Sequence, residues 1–118
     1  MRILVVDDYA DLLKAVKILL ASEGHRVTTA ADGREGLRKF DDAMGEIPFD
    51  AVISDWNMPF VNGFEMVTEM LQRDPTVKIV MMSGNYTNEP PLRADGRIIK
   101  MFQKPFHPTA MLEELVKP

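Results

Sequence analysis

The chain has 118 residues, 46% hydrophobic and 27% charged, with a formal net charge of −4; this suits one domain around one core and excludes a disordered or collagen-like chain. The acidic balance, with no basic stripe, weighs against a general grip on nucleic-acid backbone, and the absence of cysteine excludes disulfides, Cys-based zinc sites and thiol catalysis. No apolar run nears the roughly 20 residues that span a bilayer, and Met1 to Val6 runs straight into Asp7-Asp8 without the h-region and cleavage site of a signal peptide, so a cytoplasmic protein is expected.

In chain order, a short apolar run followed by an amphipathic stretch keeps returning. Ile3 to Val6 is continuously apolar, as in a strand buried on both faces. Leu12, Leu13, Val16, Leu19 and Leu20 share one face of a helix, and Gly24 is placed to end it. His25 to Ala30, with Val27, Thr28 and Thr29, predicts a second strand. Arg34 to Met44 carries Leu37, Phe40 and Met44 at helical spacing. Asp50 to Asp55 repeats the design of the first strand, apolar and then acidic at its end. A third helix is predicted from about Phe64 to Arg73, with Met66, Val67, Met70 and Leu71 apolar and Asp74-Pro75 as its stop. Val77 to Met82 is the fourth strand, ending at Ser83-Gly84, and Arg97 to Gln103 the fifth, ending at Lys104-Pro105. A last helix starts near Pro108 and uses Met111, Leu112, Leu115 and Val116.

No linker or repeat divides this series, so residues 1–118 are expected to form one domain. Strands alternating with helices imply an α/β fold, a parallel sheet covered on both faces by right-handed crossovers. Five such units in this length predict a flavodoxin-like doubly wound sheet of order 2-1-3-4-5. Ligands of that class sit outside the C-terminal edge of the sheet, beside strand 1, so function is sought in the residues that follow each strand.

Those residues are Asp7-Asp8 after strand 1, Asp55 after strand 3, Ser83 after strand 4 and Lys104 after strand 5. The proposed order sets these strands side by side, so three carboxylates, a hydroxyl and an ammonium converge on one rim. Carboxylates held together repel, and such a pocket either raises a pKa or recruits a cation. Mg²⁺ suits it, since it prefers oxygen ligands and keeps several waters. With the charge of an incoming phosphoryl group offset, Lys104 and the Ser83 hydroxyl can hold two of its oxygens. One in-line nucleophile is then enough covalent machinery.

The ordered set Val5-Val6-Asp7-Asp8, Ser54-Asp55-Trp56-Asn57-Met58-Pro59 with Gly63, Met82-Ser83-Gly84 and Lys104-Pro105-Phe106 resembles the receiver domain of two-component response regulators. The likeness covers essentially the whole chain, and Trp56-Asn57-Met58-Pro59 is especially similar to the chemotaxis regulators. The resemblance implies that Asp55 is the phosphoacceptor. It implies that Asp8 binds Mg²⁺ directly, Asp7 directly or through water, and the Asn57 carbonyl completes the protein ligands. Lys104 would pair with the phosphoryl group, Ser83 would be the switch hydroxyl, and Asn57 and Asn85 would tune hydrolysis of the aspartyl phosphate. The implied partners are a histidine kinase or histidine phosphotransfer protein and a downstream protein target or a removed output domain, with no direct contact to nucleic acid or membrane. Phosphoryl transfer to Asp55 and its hydrolysis would be self-catalysed, which is not the work of a conventional enzyme.

Bland readings stand beside these. Asp7-Asp8 alone reads equally well as a solvated turn capping the first helix, and Ser83-Gly84 as turn chemistry. Trp56 fits either a gatekeeper or a packing residue. His25 and His107 are expected to be structural, and the nine methionines mostly core residues. Two features leave the family pattern. Met101 stands where the switch aromatic is usual, with Phe102 sent to the other face. Pro90-Pro91 and Gly96 leave room for at most a short or irregular fourth helix between Asn88 and Gly96. The chief rival is a degenerate receiver acting as a constitutive binding module. A haloacid-dehalogenase-type phosphatase is disfavoured by Tyr9, which stands where that family needs a second Asp, and a flavodoxin by the acidic loop after strand 1.

Overall fold

The first strand of the computed structural model, β1 (Arg2–Val6), fully buries Ile3, Leu4, Val5 and Val6. Side chains alternate along a strand, so an all-apolar run demands cover on both sides. Helix α1 (Ala10–Ser22) supplies it on one face, through Val16 and Leu20 packed with Ile3 and Val5. Helices α2 (Gly33–Met44) and α3 (Gly63–Arg73) supply it on the other, where Phe40, Met66 and Met70 pack with Leu4 and Val6. The structure describes residues 1–55, 63–83 and 98–103, with Glu113.

The remaining strands are β2 (Arg26–Ala30), β3 (Ala51–Asp55), β4 (Lys78–Ser83) and β5 (Ile98–Gln103). All pairings are parallel and the order is β2-β1-β3-β4-β5, as the alternation of elements predicts. The two cores divide β1, β3 and β4 residue by residue: in β4, Ile79 and Met81 belong with α2 and α3, Val80 and Met82 with α1.

Local chemistry sets where the helices begin and end. At the end of α1, Gly24 adopts φ 89° and donates to the Ala21 carbonyl, while the His25 N–H reaches the Leu20 carbonyl. This pair of bonds is a Schellman closure, and its left-handed residue favours glycine. It also explains why β2 begins at Arg26 rather than at His25. Asp32 caps α2 by accepting from the Glu35 N–H at 2.8 Å. Gly36 lies where α2 passes closest to the sheet and α3: a Cβ there would stand 2.9 Å from Met66 Sδ and 3.0 Å from Val6 Cγ2.

Strand β4 runs one residue later than expected, since Val77 N–H is turned to the Asp74 carbonyl. A register shift between Ile79 and Val80 sets Met101 opposite Met81 and Phe102 opposite Met82, two β4 positions that serve opposite cores. The fourth helix expected over 88–96 lies outside the described residues, as does the last helix apart from Glu113, which is helical.

Candidate functional site

Strands β1 and β3 are neighbours with Val6 opposite Ser54. The residues that follow, Asp7 and Asp55, therefore come out side by side at the C-terminal edge of the sheet. Asp8 continues from Asp7 towards α1. One carboxylate oxygen from each of Asp7, Asp8 and Asp55 lies within 4.8 Å of the others. Asp7 is wholly buried, Asp55 is 5% exposed and Asp8 faces solvent. The burial of Asp7 rules out a purely solvated turn.

Backbone groups fix this arrangement. The Asp7 N–H donates to the Ala30 carbonyl of β2 at 3.1 Å, which ties the loop to the sheet. Asp7 Oδ1 accepts from the Tyr9 N–H at 2.8 Å, so the side chain folds back on its own backbone. Tyr9 is the N-cap of α1 and caps it with no side-chain bond, so the bland alternative of Asp7-Asp8 as the helix cap does not hold. The helix starts two residues after Asp8, and its positive end is favourable to nearby carboxylates. Ser54 Oγ donates to the Asp55 carbonyl at 3.0 Å, in a fully buried position. The Tyr9 and Ala30 backbone groups did not stand out in the sequence. An Asp two residues before a helix N-cap is the only local signal that could have found the first, and the Ala30 contact depends on sheet order.

Two unit charges about 5 Å apart repel by roughly 3 kcal/mol at an effective dielectric of about 20. Such a cluster calls for a cation. Its donors are all hard carboxylate oxygens, with two buried residues and one open to water. That set fits Mg²⁺, which takes a few carboxylates and retains waters, better than metals that seek nitrogen or sulfur.

The other expected residues are placed unevenly. Ser83 is the last residue of β4, one beyond Met82, which pairs with Asp55; its strand therefore ends beside the acidic edge. Met101 lies within β5, opposite Met81. Asn57, Asn85, Lys104, Trp56 and His107 lie outside the described residues. His25 has a structural contact, its Nδ1 2.9 Å from the Met1 nitrogen. Among the described residues no helix is long and apolar enough to cross a membrane.

The family model for the response regulator receiver domain matches residues 3–116. The chemotaxis protein CheY of Thermotoga maritima is 32% identical over 118 residues, covering 98% of this chain and 95% of its own. The transcriptional regulatory protein PrrA of Mycobacterium leprae is 37% identical over 83 residues, 70% of this chain but only 34% of PrrA. Among solved structures, CheY4 of Vibrio cholerae superposes with a TM-score of 0.78 at 35% identity, covering 97% of this chain and 94% of that one. TrrA of Thermotoga maritima, solved in complex with Mg²⁺ and BeF, gives 0.82 at 28% identity, covering 98% of both chains.

Proposed function

The chain belongs to the response regulator receiver domain family of two-component signalling, and we propose from that premise that Asp55 takes a phosphoryl group from a histidine kinase or histidine phosphotransfer protein. A phosphoacceptor signalling role goes with membership of the family. The observation that carries the assignment to Asp55 is its place among three carboxylates whose oxygens lie within 4.8 Å of one another. Asp55 ends the strand at the centre of the sheet, between β1 and β4, and is nearly buried. Its backbone is thereby held while its carboxylate borders the loop edge.

Asp7, Asp8 and Asp55, with the Asn57 carbonyl, would hold Mg²⁺. The ion would offset the negative charge of the phosphoryl oxygens against that of the carboxylates. The chain's own residues do the rest. An Asp55 carboxylate oxygen forms the new bond to phosphorus as the phosphorus–nitrogen bond of the donor phosphohistidine breaks. The bonding electrons leave with the imidazole, whose other ring nitrogen carries a proton, so that the ring ends the step neutral and Asp55 becomes an acyl phosphate. Lys104 and the Ser83 hydroxyl bind the phosphoryl oxygens of that product. Because these contacts exist only in the phosphorylated form, they bias the region of Ser83, Met101 and residues 88–96 towards a second state. Asn57 and Asn85 set how readily water reaches the acyl phosphate.

Residues 1–118 form one receiver unit in this reading, cytoplasmic, with a protein target or an output domain as its recipient. The second reading, a constitutive binding module, draws on Met101, which occupies its β5 position without an aromatic ring. Beryllofluoride, which mimics the phosphoryl group on an aspartate, separates the two. In the active receiver, adding it with Mg²⁺ changes Trp56 fluorescence and shifts the amide resonances of β4 and β5, and chelation reverses both. A spectrum that stays fixed under the same titration favours the binding module.

A further inference from the structure

At the opposite edge of the sheet from the carboxylates, β1 and β2 both begin with arginine, and the register pairs Arg2 with Arg26. Paired positions of a parallel ladder put their side chains on the same face, so two guanidinium groups start from adjacent backbone sites. Like charges set side by side are unfavourable unless an anion answers them. Among the described residues, no carboxylate forms an ion pair with either guanidinium. Asp50 is near, but its Oδ2 accepts from the Arg2 backbone N–H at 2.8 Å.

Arg2 is also held in place. Its Nε donates to the Ile47 carbonyl at 3.2 Å, and its Cζ lies 5.8 Å from the Phe49 ring centroid. These two contacts hold the side chain, which lowers the entropy lost when its fork binds a further acceptor. Arg26 is exposed. The two arginines, with Met1, Gly24, Ile47 and Asp50, line an open cleft of about 400 Å³. That volume is of small-molecule size. Its wall is partly apolar, since Ile47 is 59% exposed.

We infer that this cleft is a second ligand site, for a soluble phosphate monoester whose anionic end is gripped by Arg2 and Arg26 and whose apolar body rests on Ile47. Guanidinium forks match phosphoryl oxygens in pairs. An inorganic anion alone leaves the apolar wall unused. The site is separated from Asp55 by the length of the strands, so its occupant does not compete with phosphoryl transfer.

Phenyl phosphate is the probe, titrated into the full chain without Mg²⁺ at constant ionic strength and followed by amide and arginine Nε–H resonances. Saturable shifts are expected at Gly24, Arg26, Ile47 and Asp50, with inorganic phosphate and phenol each binding more weakly. R26Q, at an exposed position, should weaken binding about tenfold or more, as losing a charged hydrogen bond requires. R2Q should do the same, with its amide dispersion checked against the native chain because Arg2 also touches Phe49. Shifts that do not saturate, that chloride reproduces, that survive R26Q, or that centre on Asp7 and Asp55 instead would overturn the inference.

Discussion

Asp7 and Tyr9 are joined through the backbone: the Tyr9 N–H donates to Asp7 Oδ1 at 2.8 Å, while Tyr9 itself is 60% exposed. The orientation of a buried carboxylate thus depends on a peptide group and not on the side chain of that residue. Tyr9→Pro removes the donor, and a hydrogen bond to a charged acceptor contributes about 1.5–3 kcal/mol. Urea unfolding should show a loss of that size for Tyr9→Pro and almost none for Tyr9→Ala. Equal losses in the two variants would mean that the side chain matters after all.

Repulsion among Asp7, Asp8 and Asp55 gives a prediction of opposite sign. Asp55→Asn removes one of three clustered charges and should stabilise the metal-free fold by about 1–3 kcal/mol. With Mg²⁺ in excess the native chain should recover that difference, because the cation binds the folded form preferentially. Denaturant midpoints with chelator and with Mg²⁺ test both halves.

Gly36 reports on packing between α2, the sheet and α3. Gly36→Ala gains up to about 1 kcal/mol of helix propensity. The new Cβ nevertheless meets Val6, which is branched and stiff, and the Met66 sulfur. Overpacking of this kind costs about 1–3 kcal/mol. The expected net result is a destabilisation near 1 kcal/mol, visible as a melting temperature a few degrees lower; a rise would show that Met66 yields freely.

Burial holds the His25 imidazole below its usual range, the Met1 ammonium adds to this, and Glu23 opposes it. The unfolded chain therefore binds the proton more readily than the folded one. The stability linked to His25 is present above the unfolded value near 6.5 and is lost as pH falls from there through the lower folded value. His25→Gln should flatten that part of the pH profile. An unchanged slope between pH 7 and pH 5 would assign it to other groups.

Much of this was legible in the sequence because one physical cause produced each signal. The apolar runs Ile3–Val6 and Ala51–Ile53 are strands buried on both faces, and Asp7, Asp8 and Asp55 follow from the edge where those strands end. What periodicity could not give was anything set by three-dimensional neighbours. The Ala30 carbonyl reaches Asp7 only because β2 lies beside β1. The pairing of Arg2 with Arg26 needs the register, and neither residue carries a motif. Strand starts slipped by a residue where a turn bond, such as that of the Val77 N–H to Asp74, competed with the ladder.

Whether Asp55 takes the phosphoryl group is read by intact-mass measurement after incubation with Mg²⁺ and acetyl phosphate. The native chain should gain the mass of one phosphoryl group, and neither Asp55→Asn nor the native chain with chelator should gain any. An adduct of equal size on Asp55→Asn, or one formed just as fully without Mg²⁺, would contradict the assignment of Asp55 and its metal-assisted pocket.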